Sequence, residues 1–531
     1  LGWGVGLILI SPVIFILWGL LSSQTGESWP HVRDYLVADA LQNTLILVFA
    51  TGALTLLLGV PAAWFISQYR FPGRRLLSIL LVLPLAVPPY IGAYITTDVR
   101  EALIPWLVKI RQENGVETYL QVELFLRYFW LTLILAATLF PYVFLASRAV
   151  FTNRSRRLGE ACRVLGANPW RAFWTIHLPL VRPALVAGLF LVSMEVISDY
   201  GAAKHLGIST LTVTIFRTWF GLDELVTARY LASWVLVGIL ALVAFERWQR
   251  GRARFTGGQG AILPLKAARP HSVAFCWLVC GLPVLLGFVY PLTILIQWHL
   301  VDNQSGSWTG YLTELGQTLA LGLGATSTCV VISLFLLALA RFSRRPSDRI
   351  LTQTVATVGY ASPGTVMAVG VLGIAAGSRQ IVGAEHWAGP LLLSGSFLWI
   401  LFALTARYLT VSSQVLASGY ETIPPGYDHS ARLLGRTLPD VFRTIHLPLL
   451  RAPLLGGAVL VFVDVSKELP LTLLLRPFDF ETLGTTAYSL ANQGRIFETA
   501  TPSLILILLS GLSLLLVEFF GWKRTPTPRQ S

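Results

Sequence analysis

The hexapeptide Thr-Ile-His-Leu-Pro-Leu occurs twice, at 175–180 and 444–449, and this repetition constrains the fold more than any other feature of the chain. At the same offset of 269 residues Arg163 matches Arg432, Leu165 matches Leu434, Gly166 matches Gly435, Phe173 matches Phe442 and Arg182 matches Arg451. So many identities in one register mark a duplicated unit. Each copy reads as a helix, a glycine break, a second short amphipathic helix and a proline, and each stands between very apolar segments.

Those apolar segments set the class. With 54% hydrophobic and 13% charged residues over 531 positions, the chain is too apolar for a water-soluble protein and reads as an all-α polytopic membrane protein. Stretches long enough to cross a bilayer are expected near 3–22, 42–66, 78–97, 128–149, 180–198 and 229–246, and again near 273–298, 316–340, 351–376, 391–411, 452–467 and 501–520. The first is read as a membrane helix because no cleavage-site pattern follows it. About twelve spans result, in two homologous six-helix halves. The halves are 1–246, with a repeated loop at 153–179, and 273–531, with its copy at 421–448. Residues 247–272, rich in Gly and Arg, read as a flexible linker.

The net charge of +13 excludes nothing alone, but its distribution is informative. Basic clusters at 70–75, 148–171, 247–269, 341–349, 407–451 and 523–529 fall on one face of the predicted spans, which makes that face cytoplasmic. Both termini are then cytoplasmic, and an even number of spans per half brings both copies of the repeat to the same side. The 99–127 stretch reads as a longer opposite-side loop of mixed charge. Prolines at Pro84, Pro88, Pro89 and Pro363 interrupt membrane helices, either to line a cavity or as packing kinks.

Two constellations are candidates for function. Glu195 and Asp199 stand four apart near the end of the fifth span, and the 269-residue offset places Asp464 and Glu468 at the equivalent positions. An i,i+4 spacing puts each pair on one helix face. A lone charge at mid-bilayer costs about 2.5–3.5 kcal/mol on insertion scales, so such groups face a polar pathway or a partner. Both readings stay open, since Lys467 is three residues from Asp464. Tyr200, His205 and 217–219 follow, as part of a substrate mouth or as interfacial anchors.

The second constellation is the repeat itself. A glycine followed ten residues later by Ile-x-Leu-Pro, with Glu160 and Ala161 ahead of the first copy, resembles the coupling-loop signature of permease subunits of ABC importers. The resemblance implies the type I (MetI-like) permease fold and assigns ATPase coupling to Glu160, Ala161, Arg163, Gly166, Ile176, Leu178 and Pro179, and to Arg432, Gly435, Ile445, Leu447 and Pro448. Where the family carries Glu-Ala-Ala, the second copy has His429-Ser430-Ala431, so the two contacts are not equivalent. The implied partners are two copies of an ABC ATPase, which carry ATP and Mg, a periplasmic substrate-binding protein and the bilayer of a bacterial inner membrane. No nucleic acid is implied.

Segments such as Arg70-Phe71-Pro72-Gly73-Arg74-Arg75, Ser198-Asp199-Tyr200-Gly201-Ala202 and Lys467-Glu468-Leu469-Pro470 are similar to the fused permeases of bacterial ferric-iron importers. That family implies Fe3+ as substrate. Hard ferric ion prefers oxygen ligands, and transient contacts are expected at Glu195, Asp199, Asp464 and Glu468, with Tyr200 on the pathway. The alternative is a thiamine or polyamine importer, and from another class a proton- or sodium-coupled secondary transporter. No catalytic motif or phosphate loop is present, so the chain reads as a transporter subunit without cofactors, not an enzyme. Cys276 and Cys280 read as packing residues.

Overall fold

The computed structural model describes residues 2–21, 25–153, 168, 171, 173–251, 265–267, 270–301, 308–343, 347–348, 352, 355, 359, 362–382 and 397–522. Among them nine helices are long and apolar enough to cross a membrane, or ten if the bent pair Leu438–Leu449 and Arg451–Ser466 is one span. Helices are the form that satisfies every backbone group without water, so apolar runs of this length have little other choice in lipid.

The expected third span is not continuous. Helix Arg74–Leu80 stops, Leu83–Ala86 forms a 3-10 turn, and helix begins again at Pro89. Pro84 and Pro88 explain the break, and Pro89 sits where a proline's missing N–H costs nothing. Helix then runs through 99–127, which the charge pattern had marked as a loop, and on to Asn153, with one non-helical residue at Gly115 (φ 88°). The stretch is rich in Leu, Glu, Gln, Lys and Arg, all strong helix formers, and is braced by Arg127–Glu123 and Lys109–Glu113 pairs one turn apart. Polarity there signalled exposure, not irregular backbone.

The first helix of each half packs on the other half. In Gly2–Leu21, Pro12 and Phe15 lie against Gly370 and Gly373 of Gly364–Val382. Reciprocally, Gly287 lies against the Ala137 carbonyl, Cys280 packs beside Ala62, and Trp277 donates to the Pro72 carbonyl (3.1 Å). Cys276 and Cys280 are fully buried there. The linker is also tied down at one point, because Lys266–Ala267 pairs in parallel with Tyr69–Arg70.

Equivalent positions make equivalent contacts. Gly188 packs on Val143 and Gly457 on Ser412, both pairs related by the 269-residue offset. Thr44 accepts from the Leu211 amide and Thr318 from the Leu483 amide, each at 3.0 Å, fixing the helices Leu211–Leu222 and Leu483–Asn492.

A β-carbon at Gly287 would stand 2.0 Å from the Ala137 carbonyl oxygen, a backbone atom that cannot rotate away. Gly287→Val is expected to destabilise the interlocked halves by about 1–3 kcal/mol, read as a lowered melting temperature of the purified protein in detergent.

Candidate functional site

Each half breaks a membrane helix at the same place and puts a carboxylate in the break. In the first half Leu178–Ser198 ends, and Asp199 accepts from the Ala203 amide (2.9 Å) at the start of the short helix Gly201–His205. In the second, Arg451–Ser466 ends, and Glu468 accepts from the amides of Leu471 (3.0 Å) and Thr472 (3.1 Å), capping Pro470–Leu475. The exposed amides of a helix start favour an anion there. Asp199 and Glu468 therefore lie beyond their helices, and the expected shared helix face with Glu195 and Asp464 does not exist. The turn in the chain brings them together instead.

All four acids and Tyr200 line one cavity of about 70 Å3 at the seam between the halves. Its walls are repeat-related: Thr138 and Arg407, Glu195 and Asp464, Ser198 and Lys467, and Asp199 and Glu468 all line it, each pair 269 residues apart. The breaks at Leu85 and Pro89 contribute too. Tyr200 is buried, packs on Phe216, and meets Tyr488 of the other half with the hydroxyls 3.1 Å apart. Tyr90, also buried in the lining, has a hydroxyl with no hydrogen-bond partner among the described residues. His205 lies to one side, beside Thr97 and Tyr94.

The charges in this cavity are not symmetric. Arg407 pairs with Glu468 at 3.3 Å, both side chains under a tenth exposed, and Lys467 pairs with Asp464 at 3.0 Å. The first half has Thr138 and Ser198 where these cations stand. Arg407, assigned from sequence to a cytoplasmic basic cluster, is instead in the interior of Phe397–Glu421. That helix extends ten residues beyond the expected end at 411, which places Arg407 in its interior and not at the end of a span. The signal in the sequence was its 269-residue match to Thr138, a position within a span.

The second copy of the repeat is described throughout. Pro425–Leu433 ends at Gly435, whose φ of +76° provides the expected glycine break, and Thr437 caps the next turn with Asp440. Phe442–His446 is a π-helical turn, as is Phe173–His177 in the first copy. Ile445, Pro448, Leu449, Tyr427, Ala431 and Leu434 border an apolar groove of about 460 Å3, with Leu433 and Leu434 almost fully exposed. Arg432 lies over the Phe342 ring. Leu447 is on the surface nearby. In the first copy Ile176, Leu178 and Pro179 are half-buried, while Glu160, Ala161, Arg163 and Gly166 lie outside the described residues.

A clamp that sequence reasoning missed fastens this segment to the membrane helices. Asp428 takes a hydrogen bond from His446 (2.7 Å) and another from Arg341 (2.8 Å), and Arg341 also donates to the carbonyls of Tyr420 and Ile423. His446 is fully buried, stacked on Phe342. Burial opposes the charge on Asp428, but the bonds from His446 and Arg341 outweigh it and hold the carboxyl below its usual range. The first half has Gly159 at the matching position, so an acid at this repeat position is particular to the second half. Its signal was the acid one residue ahead of His429.

Comparison with known proteins agrees with this architecture. The family "Binding-protein-dependent transport system inner membrane component" matches residues 55–250. The sulfate transport system permease protein CysT of Escherichia coli is 30% identical over 200 residues, 37% of this chain and 69% of the relative. The chain belongs to this permease family. The Fe(3+)-transport system permease protein FbpB 2 of Haemophilus influenzae is 24% identical over 531 residues, 98% of this chain and 97% of the relative. The molybdenum transport system permease protein ModB of the same species is 27% identical over 236 residues, 42% of this chain and 98% of the relative. The protein is thus a fused two-domain permease of binding-protein-dependent transport, a multi-pass membrane subunit and not an enzyme.

Asp428→Ala leaves buried His446 and Arg341 groups without their acceptor, at a cost of about 1–3 kcal/mol. Faster proteolytic cutting within 421–450 is expected, with the remaining helices unaffected. Because the Asp428 carboxyl is lowered in the folded protein, its contribution is fully present above the ordinary carboxylate value and is lost as pH falls through the lowered one. Cutting of the unaltered protein should therefore speed up as pH falls below the ordinary Asp value of about 3.9.

Proposed function

We propose that this permease carries ferric iron through the seam between its halves, driven by two separate ATPase subunits. A periplasmic binding protein delivers the ion to the Tyr200 end of the cavity. ATP binding then closes the ATPase pair beneath the two repeated segments, and the halves rock to open the cavity to the cytoplasm. The repeated segments, with Gly435 and the apolar groove around Ile445 and Pro448, are the coupling elements in this reading, which has both termini on the cytoplasmic side.

The single observation that carries the substrate reading is the gathering of four carboxylates with Tyr90 and Tyr200 in one cavity, oxygen donors suited to a hard cation. The likeness to an iron permease along nearly the whole chain supports it. Thiamine, also cationic, is the alternative. A second reading, an oxyanion pathway, is favoured by Arg407 and Lys467 in the same cavity and by the sulfate and molybdenum relatives. Four acids against two cations disfavour it.

Uptake of labelled ferric iron, thiamine and sulfate in cells lacking the gene, and in the same cells with it restored, separates these readings. Iron uptake alone should be lost and recovered. Dependence of thiamine or sulfate alone would overturn the iron assignment and leave the permease architecture standing.

Gly435 has open space around it but a left-handed backbone, so a side chain there strains the turn without a clash. Gly435→Val is expected to insert normally and to lose most ATP-driven uptake. Uptake at the unaltered rate would remove the coupling assignment.

A further inference from the structure

The two cations of the cavity are held in different ways. Arg407 is fixed: its partner Glu468 also caps Pro470–Leu475 through two amides and the Thr472 hydroxyl, so this pair is part of the helix break. Lys467 stands at the C-terminal end of Arg451–Ser466 on a flexible four-carbon stem. Its ammonium group pairs with Asp464 of its own half at 3.0 Å and donates to the Leu85 carbonyl of the opposite half at 3.4 Å. The negative charge of Glu195, across the cavity, also acts on it. Lys467 is therefore a cation that joins the halves at the broken helix, among the carboxylates assigned to the substrate.

Resting on the cation reading above, we propose that Lys467 is a tethered counter-cation. It holds the seam closed while the cavity is empty, and it gives up its carboxylate to the passing ion. A charge in this position balances the acids of a buried, empty site, which would otherwise repel one another. An arriving multivalent cation competes for Asp464 and Glu195, repels the ammonium group, and so breaks the link to Leu85. Substrate arrival and release of the seam become one event. Without it, the closed resting state loses an interaction the other states do not share, and its population falls. Ser198 at the matching position makes the device one-sided: only the second half carries the latch.

The test uses proteoliposomes holding the full chain with its ATPase and binding-protein partners. ATP hydrolysis is measured without substrate and during import of labelled ferric iron. For Lys467→Met, substrate-free hydrolysis should rise roughly five- to tenfold, the shift expected from losing one close charge pair, and iron imported per ATP should fall. Lys467→Arg, which keeps the charge, should stay near the unaltered protein. If Lys467→Met does not insert, Asp464→Asn combined with Lys467→Met removes both charges and is read the same way. Substrate-free hydrolysis at the unaltered rate in these variants overturns the latch while leaving the iron reading intact. An unaltered complex that imports labelled sulfate and no iron overturns the cation reading itself.

Discussion

A carboxylate inside a membrane protein has to be matched by hydrogen-bond donors or by a cation, and the centre of this permease is organised by that requirement. Asp199 and Glu468 meet it by capping the short helices that follow each break. Asp464 meets it through Lys467, and Glu468 additionally through Arg407. Breaking a helix in lipid exposes backbone amides that also need partners. The break and the acid therefore satisfy each other, which is why both recur at the same repeat position. The cavity is what remains where two such corners face each other.

Around that centre the halves are interlocked. Each contributes its first helix to the other, through Gly370 and Gly373 on one side and Gly287 on the other, where glycine lets backbones approach closely. At the far end, Asp428, His446 and Arg341 tie the second repeated segment to the ends of Trp308–Phe342 and Phe397–Glu421. Phe397–Glu421 also carries Arg407. One helix thus connects a charge in the cavity to the clamp on the repeated segment.

Much of this was legible in the sequence because duplication supplies an internal comparison. The 269-residue offset picked out the acids, the glycine break and the repeated segments before any coordinates, and the structure brings the acids into one cavity. What the sequence hid has physical causes. Arg407 looked cytoplasmic because charge is normally excluded from lipid, and a buried ion pair defeats that inference. The exposed helix through 99–127 was hidden because polarity reports contact with water and says nothing of backbone form. Asp428 was overlooked because its role is set by His446 and Arg341, 18 and 87 residues away along the chain. Capping by Asp199 and Glu468 could have been read from the Gly201 and Pro470 that follow them, since those residues open new helices.

The central claim is that the carboxylates at the seam form the path of a cation. It is tested most directly by the rate of labelled ferric-iron uptake in cells carrying Glu195→Gln, compared with the unaltered protein at equal membrane abundance. Loss of a charge contact made in the pathway predicts a fall of roughly tenfold or more. Uptake at the unaltered rate would contradict the account.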